Sequence, residues 1–259
     1  MTDRKSWRTG LSIGPVSEEK LKRASLAGIE LVEVSGIEGE AGDWKKIPAW
    51  SRETGVELWS VHLPFDWNIP IDPSSWDPDW WKKCYDADTE LIKRASEGGA
   101  RIAVIHASLE KNSGYIRNSI LYAAIAHLGV LAEAAKHCGV TLAVENLPRT
   151  CLGNCSDEIE AFLLAIPELR VCFDVNHLLQ EDHTSFIARV GGSIVTTHIS
   201  DYDFEDEKHW MPTDGKIDWK KLQEDLERAD YSGPFLYETG WDSVDWADVK
   251  KNHEMLKKL

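Results

Sequence analysis

Short runs of β-branched and other apolar residues alternate with helical patterns along the whole chain of 259 residues. The runs are continuously apolar, which is typical of strands covered on both faces of a parallel sheet. Glycine, proline, asparagine or serine marks the joins between them and the helical patterns. The predicted strands are 9–13, 29–34, 56–62, 101–106, 141–145, 170–174, 194–199 and 234–238. The predicted helices are 17–28, 43–54, 79–98, 115–138, 156–165, 184–190, 218–229 and 245–258.

Eight strands that alternate with eight helices predict an α/β fold, a single (β/α)8 TIM barrel that takes up residues 1–259. Each strand and helix unit then has roughly 32 residues, as such barrels require. A doubly wound open sheet is the competing architecture, and it normally carries a glycine-rich phosphate turn after its first strand. The segment 14–17 reads Gly-Pro-Val-Ser, which is not such a turn.

Composition and charge narrow the classes of function. The chain has 29 basic and 44 acidic side chains, a net charge of −15. Such a surface does not attract nucleic acid or anionic membranes as a whole, so we expect neither as a partner. The N-terminal residues lack the apolar segment of a signal peptide. The five cysteines have no disulfide spacing, and we therefore expect a cytoplasmic protein.

Side chains that can carry chemistry gather at the ends of the predicted strands, where barrel enzymes place their catalytic groups. Glu145, Asp174, His198 and Glu238 end four successive strands, so they can converge above the barrel axis. Three carboxylates at one point would repel one another and raise one another's pKa. A divalent cation removes this repulsion, and mixed oxygen and imidazole ligands suit Mn²⁺, Mg²⁺, Co²⁺ or Zn²⁺.

The remaining histidines fall into two groups. His62, His106 and His177 also lie at strand ends, and His209 lies in the loop after the seventh strand. Four others lie on predicted helices or in a loop beside one, where we expect solvated or capping side chains: His127, His137, His183 and His253.

The motifs HLPF, IAVIHAS, AVEN, FDVNH, THISDYD and YETGW, in this order and spacing, resemble the xylose isomerase-like barrel superfamily. That superfamily includes sugar isomerases and epimerases, dehydratases of the inosose type and endonuclease IV. The resemblance covers nearly the full chain and implies that the four strand-end residues described above are the metal ligands. For His177 it implies contact with substrate, as in the epimerases, or with a further metal, as in the endonucleases.

For the epimerase branch, the resemblance implies a proton transfer by two catalytic carboxylates. One of Glu145 and Glu238 would remove a carbon-bound proton next to the carbonyl of a ketose or related polyol or keto-inositol. The other would return a proton to the cis-enediolate, on the opposite face for epimerisation or on the adjacent carbon for isomerisation. The metal would polarise the carbonyl as a Lewis acid. We therefore predict a metal-dependent sugar isomerase or epimerase.

Six residues are predicted to bind the substrate, on two grounds. The histidines are polar groups at or near the mouth, and His209 lies in a segment that resembles the family's substrate-covering loop. Trp67 and Trp241 follow the third and eighth strands, and their flat faces can stack on a sugar ring. The full set is His62, His106, His177, His209, Trp67 and Trp241. No cluster of lysine and arginine marks a phosphate pocket, which favours a free sugar over a sugar phosphate.

Three alternatives remain open. The endonuclease IV branch uses three metals, with additional histidines on the third and fourth strands, matched by His62 and His106, and an Asp-x-His after the seventh strand. Here that loop reads Glu207-Lys208-His209, and the six carboxylates between residues 201 and 214 would repel a DNA backbone. An inosose-type dehydratase and a non-catalytic ligand-binding barrel are the other two alternatives. Members of the superfamily often form dimers through helical faces, so a homodimer is also expected.

Overall fold

The computed structural model describes residues 7–35, 44–65, 71–110, 116–239 and 244–259. Within these residues, eight parallel strands close into a barrel in chain order, and the first strand pairs with the eighth. The strands are β1 (Thr9–Ser12), β2 (Leu31–Val34), β3 (Glu57–His62), β4 (Ile102–His106), β5 (Thr141–Glu145), β6 (Arg170–Asp174), β7 (Ile194–Ile199) and β8 (Phe235–Tyr237). The helices are α1 (Glu18–Ala27), α2 (Ile47–Thr54), α3 (Pro78–Gly98), α4 (Arg117–His137), α5 (Ser156–Ala165), α6 (His183–Val190), α7 (Trp219–Arg228) and α8 (Trp246–Leu256).

The predicted fold is confirmed, and the ends of the elements agree within two residues except at the start of α2. There the chain first makes a 3-10 turn at Trp44–Lys46, and the α-helix begins at Ile47 with Pro48 in its first turn. Proline suits that position because the first turn leaves its backbone N–H groups without helical partners. The extent of the predicted single domain, residues 1–259, stays a prediction.

Local capping contacts set where several helices begin and end. The Ser17 hydroxyl accepts the backbone N–H of Lys20 at 3.2 Å ahead of α1, and Gly28 ends that helix with φ 77°. Asp77 caps α3 by accepting the N–H groups of Asp79 and Trp80. These caps satisfy N–H groups that the first helical turn cannot pair itself. Local contacts therefore set both ends of α1 and the start of α3.

Alternation along the strands directs the strand-end side chains into the barrel. A small cluster inside the barrel consists of Ile102, Val104, Ala143 and Cys172. The residues that alternate with them along the strands, including Ile105, Val144 and Phe173, belong to the larger core between the strands and the helices. Because successive side chains of a strand point to opposite faces, the next inward positions lie at the mouth. Those positions are occupied by His106, Glu145 and Asp174.

Helix α4 is, among the described residues, the one helix long and apolar enough to cross a membrane. It packs against α3, β5 and α5 in the barrel wall, and about eight of its side chains are buried there. This burial explains its apolar composition, as for the core helix of a globular domain.

The expectation of solvated or capping histidines is wrong for two of the four helical histidines. His127 on α4 is fully buried, and His253 on α8 is buried with its Nε2 2.9 Å from the Trp7 carbonyl oxygen. His183 is partly buried, and its Nε2 lies 2.7 Å from the Val175 carbonyl oxygen. His137 is exposed at the end of α4, as expected. In α4 the error arises because alanine and leucine residues of the helix lie on all of its sides, so no polar face indicates which side is exposed to solvent.

Candidate functional site

A cavity of about 260 Å³ opens at the carboxyl ends of the strands. Its lining includes six of the predicted site residues, namely His62, His106, Glu145, His177, His209 and Glu238. Asp174 and His198 are fully buried next to Glu145. Trp67 and Trp241 lie outside the described residues. The strand-end positions chosen from the sequence therefore meet at one mouth.

Four of these residues form the group expected to hold a cation. One ligand atom from each of Glu145, Asp174, His198 and Glu238 lies within 4.8 Å of the others. His198 Nδ1 is 3.1 Å from Glu145 Oε1 and 3.4 Å from Glu238 Oε2. The strand register produces this arrangement, because Asp174 of β6 is paired with His198 of β7. Paired residues of parallel strands project from the same face of the sheet.

The donor set fits a divalent cation. Asp174 Oδ2 is buried, and no hydrogen-bond partner for it lies among the described residues. Burial raises the pKa of Asp174 to about 7, and the charges of Glu238 and Glu145 add to that rise while His177 opposes it. Buried carboxylates are costly unless they are paired or bind a metal. Three carboxylates and one imidazole in contact therefore match the oxygen and nitrogen donors of a divalent metal site.

Glu145 also contacts a pair of imidazoles on its other side. Its Oε2 lies 3.0 Å from His62 Nε2 and 3.3 Å from His106 Nε2. Burial acts against the charged form, but His198, His106 and His62 together hold the pKa of Glu145 well below its usual range. The side chain is thus an ionised carboxylate that joins the metal-binding group to the two histidines from β3 and β4.

A third group lies at the rim of the cavity and consists of His177, Glu207 and His209, whose ligand atoms also lie within 4.8 Å of one another. His177 Nε2 is 3.2 Å from Glu207 Oε2. Burial opposes protonation of His177, yet Asp174, Glu207 and Glu145 raise its pKa to about 10. The sequence analysis noted Glu207 as a departure from the endonuclease motif and as one of the carboxylates of the acidic loop, and the structure places it at the cavity.

The loop after β7 is held in place by a buried aspartate. The Asp201 carboxylate accepts the backbone N–H of Thr213 at 2.8 Å, that of Ile217 at 3.2 Å and the indole N–H of Trp219 at 2.8 Å. Within this loop His209 has φ 50°, and its Nδ1 lies 3.0 Å from the Glu238 carbonyl oxygen. The sequence analysis counted Asp201 among the carboxylates of an acidic loop. In the structure it anchors that loop, which places His209 at the cavity.

Arg149 connects two loops of the mouth. Its guanidinium donates to Glu110 at 3.1 Å, Asp206 at 2.8 Å and Glu207 at 3.0 Å. Its backbone has φ 51°, a strained value for a residue with a side chain. Because three carboxylates already surround this cation, it offers little positive charge to a substrate phosphate.

Glu33, at the end of β2, is a site residue that the sequence interpretation missed. It is fully buried; its Oε1 lies 2.9 Å from His198 Nε2 and its Oε2 accepts the Ser60 hydroxyl at 2.7 Å. A carboxylate behind a ligating histidine orients the imidazole and increases its basicity. The sequence did show that Glu33 lies at a strand end. It did not show the contact with His198, because the two residues are far apart in the chain and meet only across the closed barrel.

Asn146 and Phe65 are two further residues that the sequence interpretation missed. The Asn146 side chain accepts the backbone N–H of Asp174 and donates to the Asp174 carbonyl, both at 2.8 Å, which ties the ends of β5 and β6 together. The Phe65 ring stacks on His106 with a centroid distance of 4.1 Å and lines the cavity. Both lie in quoted motifs, AVEN and HLPF, but their contacts depend on the closed barrel.

A family model described as xylose isomerase-like TIM barrel matches residues 19–259. Two curated relatives are themselves described as uncharacterized. Protein MJ1311 of Methanocaldococcus jannaschii is 25% identical over 207 residues, which cover 76% of this chain and 68% of that protein. Protein y4fM of Sinorhizobium fredii is 31% identical over 74 residues, 28% of this chain, and the match spans only 24% of that protein.

Solved structures share the fold. A D-tagatose 3-epimerase-like protein superposes with a TM-score of 0.82 at 20% identity, and 96% of each chain is covered. The D-psicose 3-epimerase of Clostridium cellulolyticum H10 superposes with a TM-score of 0.77 at 17% identity, covering 97% of this chain and 94% of that one. At these identities the likeness concerns the barrel architecture.

The contact between Glu33 and His198 predicts a change in metal affinity. We expect Glu33→Gln to weaken binding of Mn²⁺ about 10- to 100-fold, because the imidazole loses the carboxylate that orients it. Calorimetric titration of the metal-free protein measures the affinity. Glu57→Gln is the matched control, since that carboxylate contacts Arg8 at the surface at the start of β3. Equal affinities for the folded wild type and Glu33→Gln would contradict the positioning role.

Proposed function

The chain belongs to the xylose isomerase-like TIM barrel family, and on that premise we propose that it is a divalent-metal-dependent sugar isomerase or epimerase. Its proposed substrate is a free ketose or a related polyol or keto-inositol. The observation that carries the proposal is the pair of carboxylates Glu145 and Glu238, which line one cavity with His198 Nδ1 within 3.4 Å of both. Two proteins of similar fold are described as 3-epimerases or 3-epimerase-like.

The two glutamates are placed for proton transfer to and from carbon. Glu145 is kept ionised by the imidazoles around it, as a general base requires. Glu238 comes from a different strand, and its side chain is 20% exposed to the cavity. One carboxylate removes the proton beside the substrate carbonyl, and the other returns a proton. A divalent cation bound at the quartet supplies Lewis-acid polarisation of the carbonyl.

The rest of the cavity suits a small polyhydroxylated molecule. His62, His106, His177 and His209 offer hydrogen-bonding nitrogens around its wall. Phe65 adds an apolar face against which the C–H face of a sugar can pack. The volume of about 260 Å³ lies below the usual range for drug-sized ligands, which favours one monosaccharide unit over an oligosaccharide.

A second candidate function, endonuclease IV-like cleavage of abasic DNA, is favoured by one specific observation. Three groups of carboxylate and imidazole side chains at the mouth each have metal-ligand spacing, as a three-metal site requires, and Glu145 belongs to two of these three. The groups are His62, His106 and Glu145; Glu145, Asp174, His198 and Glu238; and His177, Glu207 and His209. Against this function, the Arg149 guanidinium is engaged by carboxylates and the loop after β7 is acidic, which disfavours a phosphate backbone.

The proposed acid–base pair predicts the effect of two isosteric substitutions. We expect Glu145→Gln and Glu238→Gln each to lower kcat for epimerisation or isomerisation of free ketoses about 10²- to 10⁴-fold, because a general acid or base contributes that much. Chromatography of the products formed by the Mn²⁺- or Co²⁺-loaded protein measures turnover. Glu57→Gln should retain wild-type activity. Retained turnover in either glutamate variant would exclude the pair as the proton-transfer groups.

Metal content separates the two candidate functions. If His62 and His177 contact substrate, the double variant His62→Ala/His177→Ala keeps the same number of cations per chain as the wild type. We also expect the wild type not to incise a duplex that contains an abasic site. Mass spectrometry of the intact protein and gel analysis of the duplex give the two readouts. Loss of two cations from the variant, together with incision by the wild type, would replace the sugar proposal with the nuclease.

A further inference from the structure

A second cluster of metal-ligating side chains lies in the helical layer of the barrel. Cys84 and Asp88 are one turn apart on α3, and they face His127 on the neighbouring helix α4. All three side chains are buried, with exposed fractions of 0%, 1% and 0%. None of them lines the cavity at the barrel mouth. The cluster therefore has no role in the proposed sugar chemistry.

The distances within this cluster are close to those between ligands of one ion. Cys84 Sγ lies 3.4 Å from Asp88 Oδ2, and His127 Nε2 lies 3.8 Å from the same oxygen. Tetrahedral zinc with its usual bonds to sulfur, nitrogen and oxygen places its ligand atoms about 3.3–3.6 Å apart. A hydrogen bond from an imidazole nitrogen to a carboxylate is shorter, near 2.9 Å. Shifts of a few tenths of an ångström thus give coordination geometry.

Three polar atoms of the cluster are buried without a hydrogen-bond partner in the described part of the chain. Neither ring nitrogen of His127, nor Oδ1 of Asp88, has a hydrogen-bond partner among the residues that the structure describes. The imidazole is instead flanked by the Trp81 ring, at a centroid distance of 5.2 Å. A buried imidazole and carboxylate without partners cost free energy, and native proteins rarely leave them so. A bound ion would satisfy these groups together.

A cation at this position would change the charge states of two of its ligands. Burial raises the pKa of Asp88, and it raises the pKa of the Cys84 thiol, to which the neighbouring charges of Asp88 and Asp72 add. Both groups are therefore held toward their neutral forms when no cation is bound. A metal ion reverses this balance, because it binds the thiolate and the carboxylate and releases the thiol proton to solvent.

We propose that Cys84, Asp88 and His127 supply three of the ligands of a buried Zn²⁺ site that joins α3 to α4. A thiolate, an imidazole and a carboxylate are all zinc ligands, and the thiolate selects against Mg²⁺ and Mn²⁺. Complete burial keeps the ion away from substrate, so its role is to hold together the two helices that follow β3 and β4. Those strands end in His62 and His106, and the site therefore supports the wall that carries these histidines.

Cobalt substitution tests the proposal through the sulfur ligand. We expect protein produced in cobalt-supplemented medium to show sulfur-to-Co²⁺ charge-transfer absorption in the near ultraviolet, because Cys84 binds as a thiolate. Cys172 is the matched control, since it is also buried and lies near Glu145 and His198 at the other metal-ligand group. The band should persist in Cys172→Ala and disappear in Cys84→Ala. Zinc-grown Cys84→Ala should contain one equivalent of zinc less per chain than Cys172→Ala.

Three results would overturn the zinc site. They are a wild-type cobalt protein without the band, a band that persists in Cys84→Ala, and a band lost in Cys172→Ala alone. If Cys84→Ala does not fold, His127→Gln provides the same comparison of zinc content, with an expected loss of one equivalent. A wild-type spectrum without the band is enough to overturn the site even without a variant.

Discussion

A fully buried carboxylate, Glu145, is the constraint on which the barrel mouth depends. Three imidazoles from three other strands, His62, His106 and His198, lie 3.0–3.3 Å from its two oxygens. A charge at this depth is tolerated only with such compensation. Asp174 and Glu238 bring further negative charge to the same point. A divalent cation is the simplest way to balance the negative charge of these three carboxylates.

The fold supplies this geometry through strand alternation and loop anchors. Inward positions of β4, β5 and β6 end in His106, Glu145 and Asp174, while their neighbours pack against the helices. The loops then add groups that the strands cannot reach. Asp201 holds the loop that carries His209, and Arg149 links that loop to the one after β5. The rigid barrel thus places the proposed proton-transfer groups, and the loops complete the cavity around them.

Strand periodicity was enough to predict the barrel and the convergence of the strand-end quartet, because the carboxyl ends of the parallel strands meet at one mouth of the barrel. It was not enough for Glu33, whose contact with His198 crosses the barrel, or for Arg149, whose partners come from distant loops. His127 was misjudged for another reason. Helix α4 is apolar on most of its surface, so its sequence does not show which side is buried.

Exchange of a carbon-bound hydrogen with solvent tests most directly whether this mouth performs proton transfer. The metal-loaded protein would be incubated with a convertible ketose in D₂O, and the recovered sugars examined by NMR. Two carboxylates that exchange protons with solvent predict deuterium at the carbon beside the carbonyl in the product of the wild type, and no such deuterated product from Glu238→Gln. Conversion of the ketose by the wild type with no deuterium incorporated at that carbon would contradict the mechanism.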